Sequence, residues 1–390
     1  MPVQSTFDVV IAGAGLVGAS LARALSRSGL DIALIEPAPP AVPSPQWDAR
    51  IYAISPASQG FLERVGAWEA VDAARLGPVR EMRIAGDRGA RLHFSAYESG
   101  VERLATIVES GRLQHALWSL LAGQDNLRRL APARAAGARF DADGVTLALG
   151  DGASIRTRLL VGADGARSWV RETAGISAQD RSFGQLGVVA NFACEKPHRE
   201  TAFQWFSEDG ILAWLPLPGD RISMVWSTPE AHARELLALD PQALCRRVAS
   251  AGLQALGRLD LLAPAAAFPL TSLRSGSFTA ERVALVGDAA HVVHPLAGQG
   301  VNLGFGDAEA LAAVLCSRGA VQDAGDELLL SRYGRRRAEA ILAMRVATAG
   351  LNRLFSAQAP GVARLRNAGL TLTDRLPVLK NLLVRHALAN

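Results

Sequence analysis

FDVVIAGAGLVGASLARALSRSGLDIALIE, residues 7–36, is the stretch that decides the fold class. An apolar run at 9–12 feeds a glycine turn, Gly13-Ala14-Gly15-Leu16-Val17-Gly18, and Leu16, Ala19, Leu21, Ala22 and Leu25 then recur at helical spacing. A second apolar run at 32–35 ends in Glu36. Strand, tight turn, helix and strand with an acidic tip make one mononucleotide-binding unit. Its glycines let backbone N–H groups approach a pyrophosphate at the helix N-terminus, and Glu36 accepts from a ribose hydroxyl. NAD and FAD both satisfy such a unit, and a turn without ligand is the competing reading of the bare string.

A second landmark, VALVGDAAHVVHPLAGQGVNLGFGDAEAL at 283–311, narrows the choice. A buried-strand pattern stops at Gly287-Asp288, passes through a loop holding Pro295, Gly298 and Gly300, and becomes helical. One acidic side chain at a strand end, followed by glycines that admit a ligand to the backbone, suits a polar, phosphate-bearing or electron-rich cofactor. Together with the first unit it points to a flavin. Between the two, RTRLLVGADGARSWVRETAG at 156–175 repeats the design, with Asp164-Gly165 at the bend and Arg167, Ser168 and Arg171 behind it. Asp164 has a second reading as a helix cap.

Length and composition exclude several classes. A chain of 390 residues with 49% hydrophobic content buries a large core and exceeds the usual span of one domain. The net charge of +4 is too small for nucleic-acid binding, and no basic run interleaves with aromatics. Cys194, Cys245 and Cys316 are odd in number and far apart, which excludes a disulfide framework and a thiolate metal site. His291 and His294 sit three apart without an accompanying acidic or histidine cluster, so no metal is expected. The N-terminus lacks a basic signal-peptide region, and the apolar stretch at 9–22 falls short of the ~20 residues of a spanning helix. A cytoplasmic protein is expected, its only membrane contact peripheral, at the inner membrane.

Local patterning adds strands across 79–97, a helix at 111–121, and a meander over 139–149 with turns at Asp143-Gly144 and Asp151-Gly152. Ser58, Phe61, Leu62 and Val65 have helical spacing, 183–228 reads as aromatic-rich strands, and 231–256 as helix.

GAGLVG, VGADGARSWVR and VGDAAHVVHPLAGQG, in this order and at these spacings, resemble the fingerprints of single-component FAD-dependent aromatic monooxygenases. DARIYAISPAS at 48–58, IVESGRLQHALW at 107–118, AFQWFSEDGILAWLPLPGDRISMVWST at 202–228, HPLAGQGVNLG and the 351–383 tail resemble the ubiquinone-biosynthesis hydroxylases within that group. The resemblance implies the para-hydroxybenzoate hydroxylase fold: a Rossmann-like α/β FAD domain from 1–78, 98–180 and 275–335. To it would be added an antiparallel-sheet substrate domain from 79–97 and 181–274, and a helical C-terminal extension over 336–390.

The same resemblance implies site residues. Gly13, Gly15 and Gly18 form the pyrophosphate turn and Glu36 takes the adenosine ribose. Arg50 sits against the cofactor, and Gln114 stands where many relatives have an arginine. Asp164 serves both FAD and the nicotinamide, and Asp288 holds a ribityl hydroxyl. Pro295, Gly298, Gln299, Gly300, Val301 and Asn302 border the isoalloxazine. Gly111-Arg112 departs from the family pattern, which usually has an Asn or Arg and an apolar residue there. Phe203, Trp205, Trp214 and Pro216 are read as substrate-facing, with the core of the second sheet as the alternative for each.

The implied reaction is NAD(P)H- and O2-dependent hydroxylation of a polyprenyl phenol through a flavin C4a-hydroperoxide, a species that survives where water and proton donors are excluded. Orientation matters more to it than a strong side-chain catalyst, so no acid or base is assigned. A flavin hydroxylase of a small soluble aromatic acid and a non-catalytic scaffold subunit are the rivals. From residue 332 onward eleven basic residues face only Glu339 and Asp374, a local charge of about +9. Such a tail docks on an anionic membrane or a quinone-biosynthesis complex, or packs on its own FAD domain; the polyprenyl substrate favours docking.

Overall fold

The computed structural model describes residues 5–86, 89–293, 300–319 and 321–356, with side chains to residue 344. The 7–36 segment folds as strand Ser5–Ala12, helix Leu16–Ala24 and strand Ile32–Ile35. Val9, Val10, Ile11 and all four residues of Ile32–Ile35 are buried, because a strand within a parallel sheet is covered on both faces. That is why both read as unbroken apolar runs.

Five parallel strands make the core of this sheet, in the order Leu127–Leu130, Ile32–Ile35, Ser5–Ala12, Ser154–Gly162, Val283–Leu285. Thr279–Ala280 and the hairpin Ala135–Asp141/Gly144–Leu149 add antiparallel edges, with turns at Asp143-Gly144 and Asp151-Gly152. Helices Leu16–Ala24, Ser110–Leu120 and Gly300–Cys316 pack together on one face through Leu21, Leu117, Phe305 and Leu311.

The second sheet has nine strands, antiparallel except where Glu81–Ala85 runs beside Thr201–Ser207. Its long members are Ala178–Cys194, Arg221–Pro229, Gly210–Leu217 and Ala266–Ser275. The helical stretch after residue 229 divides into Glu230–Ala238 and Pro241–Ala251, since Asp240 caps the Ala243 N–H and Pro241 starts a new helix. These helices cover one face of the sheet. Between the two large sheets lies a three-stranded sheet, Ile51–Ile54, Ala105–Glu109 and Gly77–Val79.

Of the two readings given for the aromatics of this sheet, strand alternation favours the core. Trp205 and Trp214, with Phe203 against them, cluster with Phe192, Met224, Trp226, Leu236 and Val248 on the helix-covered face. Trp214 has no exposed surface, and a Cβ on Gly252 would lie 2.1 Å from its ring. Pro216 is buried with its carbonyl against Gly77. The opposite face presents Ala202, Leu215 and Leu217, which pack with Ile51, Ala53 and Ile107.

The last described helix, Glu327–Ser356, is part of the core for its first turns. Leu329, Leu330 and Tyr333 join the main cluster, and Ile341 and Met344 pack on Val293 and Leu303. Among the described residues no helix is long and apolar enough to cross a membrane.

Candidate functional site

The three glycines of the first turn differ in what requires them. Gly13 has φ +103°, and a Cβ there would meet the Ala163 carbonyl oxygen at 2.4 Å; one on Gly18 would meet the Gly13 oxygen at 2.0 Å. Both are demanded by the protein's own packing. A Cβ on Gly15 would meet nothing within 4 Å, and helix Leu16–Ala24 has no side-chain cap, so its first N–H groups lack a protein acceptor. The Ala14 peptide is clamped from both sides: its N–H donates to Glu36 Oε2 at 2.7 Å and its carbonyl accepts from Gln114 Nε2 at 3.3 Å. Glu36 Oε1 accepts from the Ala38 N–H at 3.2 Å. A carboxylate has about four lone-pair sites, which leaves room for ribose hydroxyls as well.

The two carboxylate oxygens of Asp164 are placed differently. Its Oδ2 accepts from the Val170 N–H at 3.0 Å, adding to the Ser168 cap of helix Trp169–Thr173, while Oδ1 is buried without a partner. A buried unpaired carboxylate oxygen is costly, and a donor from a bound group would complete it. Arg171, 5% exposed, links this bend to the third motif through Nη1 to the Ala289 oxygen at 3.0 Å and Nη2 to the Ala166 oxygen at 2.9 Å.

Asp288 follows Gly287, whose φ is +61°. The residue is exposed, yet neighbouring protein atoms crowd its carboxyl. That crowding pushes its carboxyl above the ordinary value, with Asp307 adding to the rise while His291 and Arg50 oppose it. Arg50 is exposed, its guanidinium 5.5 Å from the centre of the Tyr52 ring. Burial raises the Tyr52 phenol, opposed by Arg50 and reinforced by Asp288, so these three share one electrostatic neighbourhood. Asn302 is buried: its Oδ1 accepts from the Ser55 N–H at 3.0 Å and its Nδ2 donates to the Ala53 oxygen at 2.9 Å. Gly300 opens the Gly300–Cys316 helix, and Val301 is 9% exposed. Pro295, Gly298 and Gln299 lie outside the described residues, as does His294. His291 Nε2 is bonded to Asp307 Oδ2 at 2.7 Å.

Two constellations escaped the sequence reading. Glu109, 1% exposed, receives both Arg75 Nε and Nη2 at 2.8 and 2.7 Å, Arg112 Nε at 2.9 Å and the Asp48 N–H at 2.7 Å. Arg75 also stacks 3.6 Å over Trp47, and Arg112 Nη2 holds the Ser44 oxygen at 2.9 Å. The Gly111 N–H donates to Asp48 Oδ2 at 3.0 Å. Gly111 and Arg112 thus anchor the loop that carries Arg50. The second constellation centres on Asp307, which has no exposed surface. Burial pushes its carboxyl up, but His291, Arg337 and the Gly287 N–H outweigh this and hold it below the ordinary value. An acid flanked by glycine and apolar residues in a mostly apolar helix, GFGDAEAL, is the available signal.

Residues 6–347 match the family model for an FAD binding domain. The chain belongs to this family. Among curated relatives, the FAD-binding chain is 36% identical over 384 residues to ubiquinone hydroxylase UbiL of Rhodospirillum rubrum, covering 98% of this chain and 89% of that protein. It is also 36% identical to the 3-demethoxyubiquinol 3-hydroxylase of Escherichia coli, with 98% of each covered. Among solved structures, PqsL of Pseudomonas aeruginosa in complex with 2-aminobenzoylacetate superposes with a TM-score of 0.78 at 27% identity, over 94% of this chain and 99% of that one. The fold is the para-hydroxybenzoate hydroxylase fold, and the cofactor of the family is FAD. The open space at Gly15, the uncapped helix and the orphaned Asp164 oxygen fit such a cofactor.

Proposed function

We propose that this chain hydroxylates the aromatic ring of a polyprenylated ubiquinone precursor with NAD(P)H and O2. The observation that supports the reading most is end-to-end identity of 36% with a 3-demethoxyubiquinol 3-hydroxylase. Bound FAD supplies hydride acceptance and oxygen activation. The chain's part is to hold and orient. Gly13, Gly15 and Gly18 with the uncapped helix receive the pyrophosphate, Glu36 the adenosine ribose, and Asp288 a ribityl hydroxyl. Gln114 holds the turn through the Ala14 carbonyl instead of contributing the charge of an arginine. Arg50 offsets the charge of Asp288, and Asp164 Oδ1 takes a donor from the flavin or the nicotinamide. The N-terminus of helix Gly300–Cys316, with Val301 and Asn302, would hold the flavin ring, and its partial positive charge would stabilise the electron-rich form.

On this reading the parallel sheet and its helices are the FAD body, and the second sheet is the body of the substrate domain. The basic tail docks on a membrane or a hydroxylase complex. Expression in strains lacking one quinone-ring hydroxylase at a time, with identification of the accumulating intermediates, tests the substrate. Restored quinone in one strain supports the reading. Failure in every strain, with flavin reduction stimulated by a small aromatic acid, replaces it with the soluble-substrate alternative.

A further inference from the structure

The turn that presents Asp288 is gripped from behind by two helices. Asp307 Oδ2 accepts from the Gly287 N–H at 2.9 Å and bonds His291 Nε2 at 2.7 Å, while Oδ1 accepts from Arg337 Nε at 2.6 Å. Arg337 Nη2 also donates to the Leu303 oxygen at 3.1 Å. One helical turn earlier, the buried Tyr333 hydroxyl donates to the Leu285 oxygen at 2.7 Å. Leu285, Gly287 and His291 are therefore fixed on both sides of Asp288. The glycines of GFGD serve this arrangement: a Cβ on Gly306 would lie 2.9 Å from Arg337 Nη2, and one on Gly304 would lie 2.6 Å from Val17 and 3.4 Å from the Gly287 Cα.

We propose that Arg337, acting through Asp307, is a positioning residue for the Asp288 turn, so that a side chain of the C-terminal helix sets FAD affinity without touching FAD. A carboxylate with no exposed surface needs compensation, and Arg337 is its only arginine or lysine partner among the described residues. Without that guanidinium the Asp307 carboxylate keeps only the Gly287 N–H and His291 on one oxygen and loses the tether on the other, so both lose a stationary acceptor. The proposal rests on the reading of Asp288 as a cofactor ligand.

A double-mutant cycle on FAD affinity of the full chain, measured by fluorescence titration of apoprotein, tests it. Arg337→Met and Asp288→Ala should each raise the FAD dissociation constant about tenfold, equivalent to ~1.4 kcal/mol. The double variant should bind little worse than Asp288→Ala alone, because the first residue works through the second. Gly306→Ala, which displaces the guanidinium, should reproduce the Arg337→Met loss. A merely structural role for Arg337 gives independent effects, and a double variant weakened about a hundredfold overturns the proposal. So does unaltered affinity in Arg337→Met. If Arg337→Met does not fold, Arg337→Lys enters the same cycle; it keeps the charge but cannot reach Asp307 and Leu303 together. An unchanged dissociation constant in Asp288→Ala alone refutes the ligand reading itself, and the proposal falls with it.

Discussion

Gly15, Gly13 and Gly18 look alike in a sequence and differ in three dimensions, which makes them separable by experiment. Gly15→Val should leave the thermal midpoint of the apoprotein unchanged and abolish FAD retention, because the space its side chain enters belongs to no protein atom. Gly18→Ala should lower apoprotein stability, since its Cβ falls on the Gly13 carbonyl. Calorimetry of the apoproteins beside flavin absorbance of the holoproteins decides; a destabilised Gly15→Val apoprotein would mean that the turn is closed by protein. Asp288 supplies a pH test. A carboxyl whose folded pKa is raised is disfavoured as the anion, so the penalty is present above that raised pKa and is relieved as pH falls through it. Asp288→Asn should therefore raise the apoprotein midpoint at neutral pH, weaken FAD binding, and lose its thermal advantage as the solution is acidified. A pH-independent advantage would assign the gain to something other than charge. The sequence displayed the glycines and Asp288 because their spacing is local; it concealed Arg337, which meets Asp307 only after the chain has turned back between the two helices.

At the scale of elements, legibility followed the range of the cause. The strand–turn–helix units and the Asp143-Gly144 and Asp151-Gly152 turns are specified by neighbours in sequence, and they were readable. The strand Ile51–Ile54 was not, because its pairing with Ala105–Glu109 is settled by residues about fifty positions away. For the aromatic run at 203–214 the sequence leaves core and substrate side open, since alternation shows which residues share a side and only the helices above decide which side is covered. The Glu109 cluster is the element-scale test. Glu109→Gln leaves two arginines facing a neutral amide and should cost about 1–3 kcal/mol of unfolding free energy in urea. It should also quicken proteolysis between residues 44 and 50, the loop that Arg75 and Arg112 hold. A variant with normal stability and an uncut loop would show that the cluster is not the anchor.

For the molecule as a whole, the boundary of the C-terminal helix matters most. Truncation after residue 350 spares Arg337, Ile341 and Met344, and should keep FAD and activity on a short-chain phenol while quinone production in cells is lost. Truncation after residue 335 removes all three and should release FAD. Flotation of the full chain with anionic liposomes should weaken with added salt, at ~1 kcal/mol per basic residue near the surface. Salt-independent flotation, or none, argues that the tail packs on its own chain or a partner. The parallel sheet has a further consequence, for synthesis. Its strand Val283–Leu285 pairs with Leu160–Gly162 and is translated long after the four strands it completes. At about 5–20 residues per second, a ribosome leaves that inner edge unpaired for roughly 6 to 24 seconds. Nascent chains of this protein are thus exposed to edge-to-edge association until the last strand emerges, and their yield should depend on chaperones that bind such edges during translation.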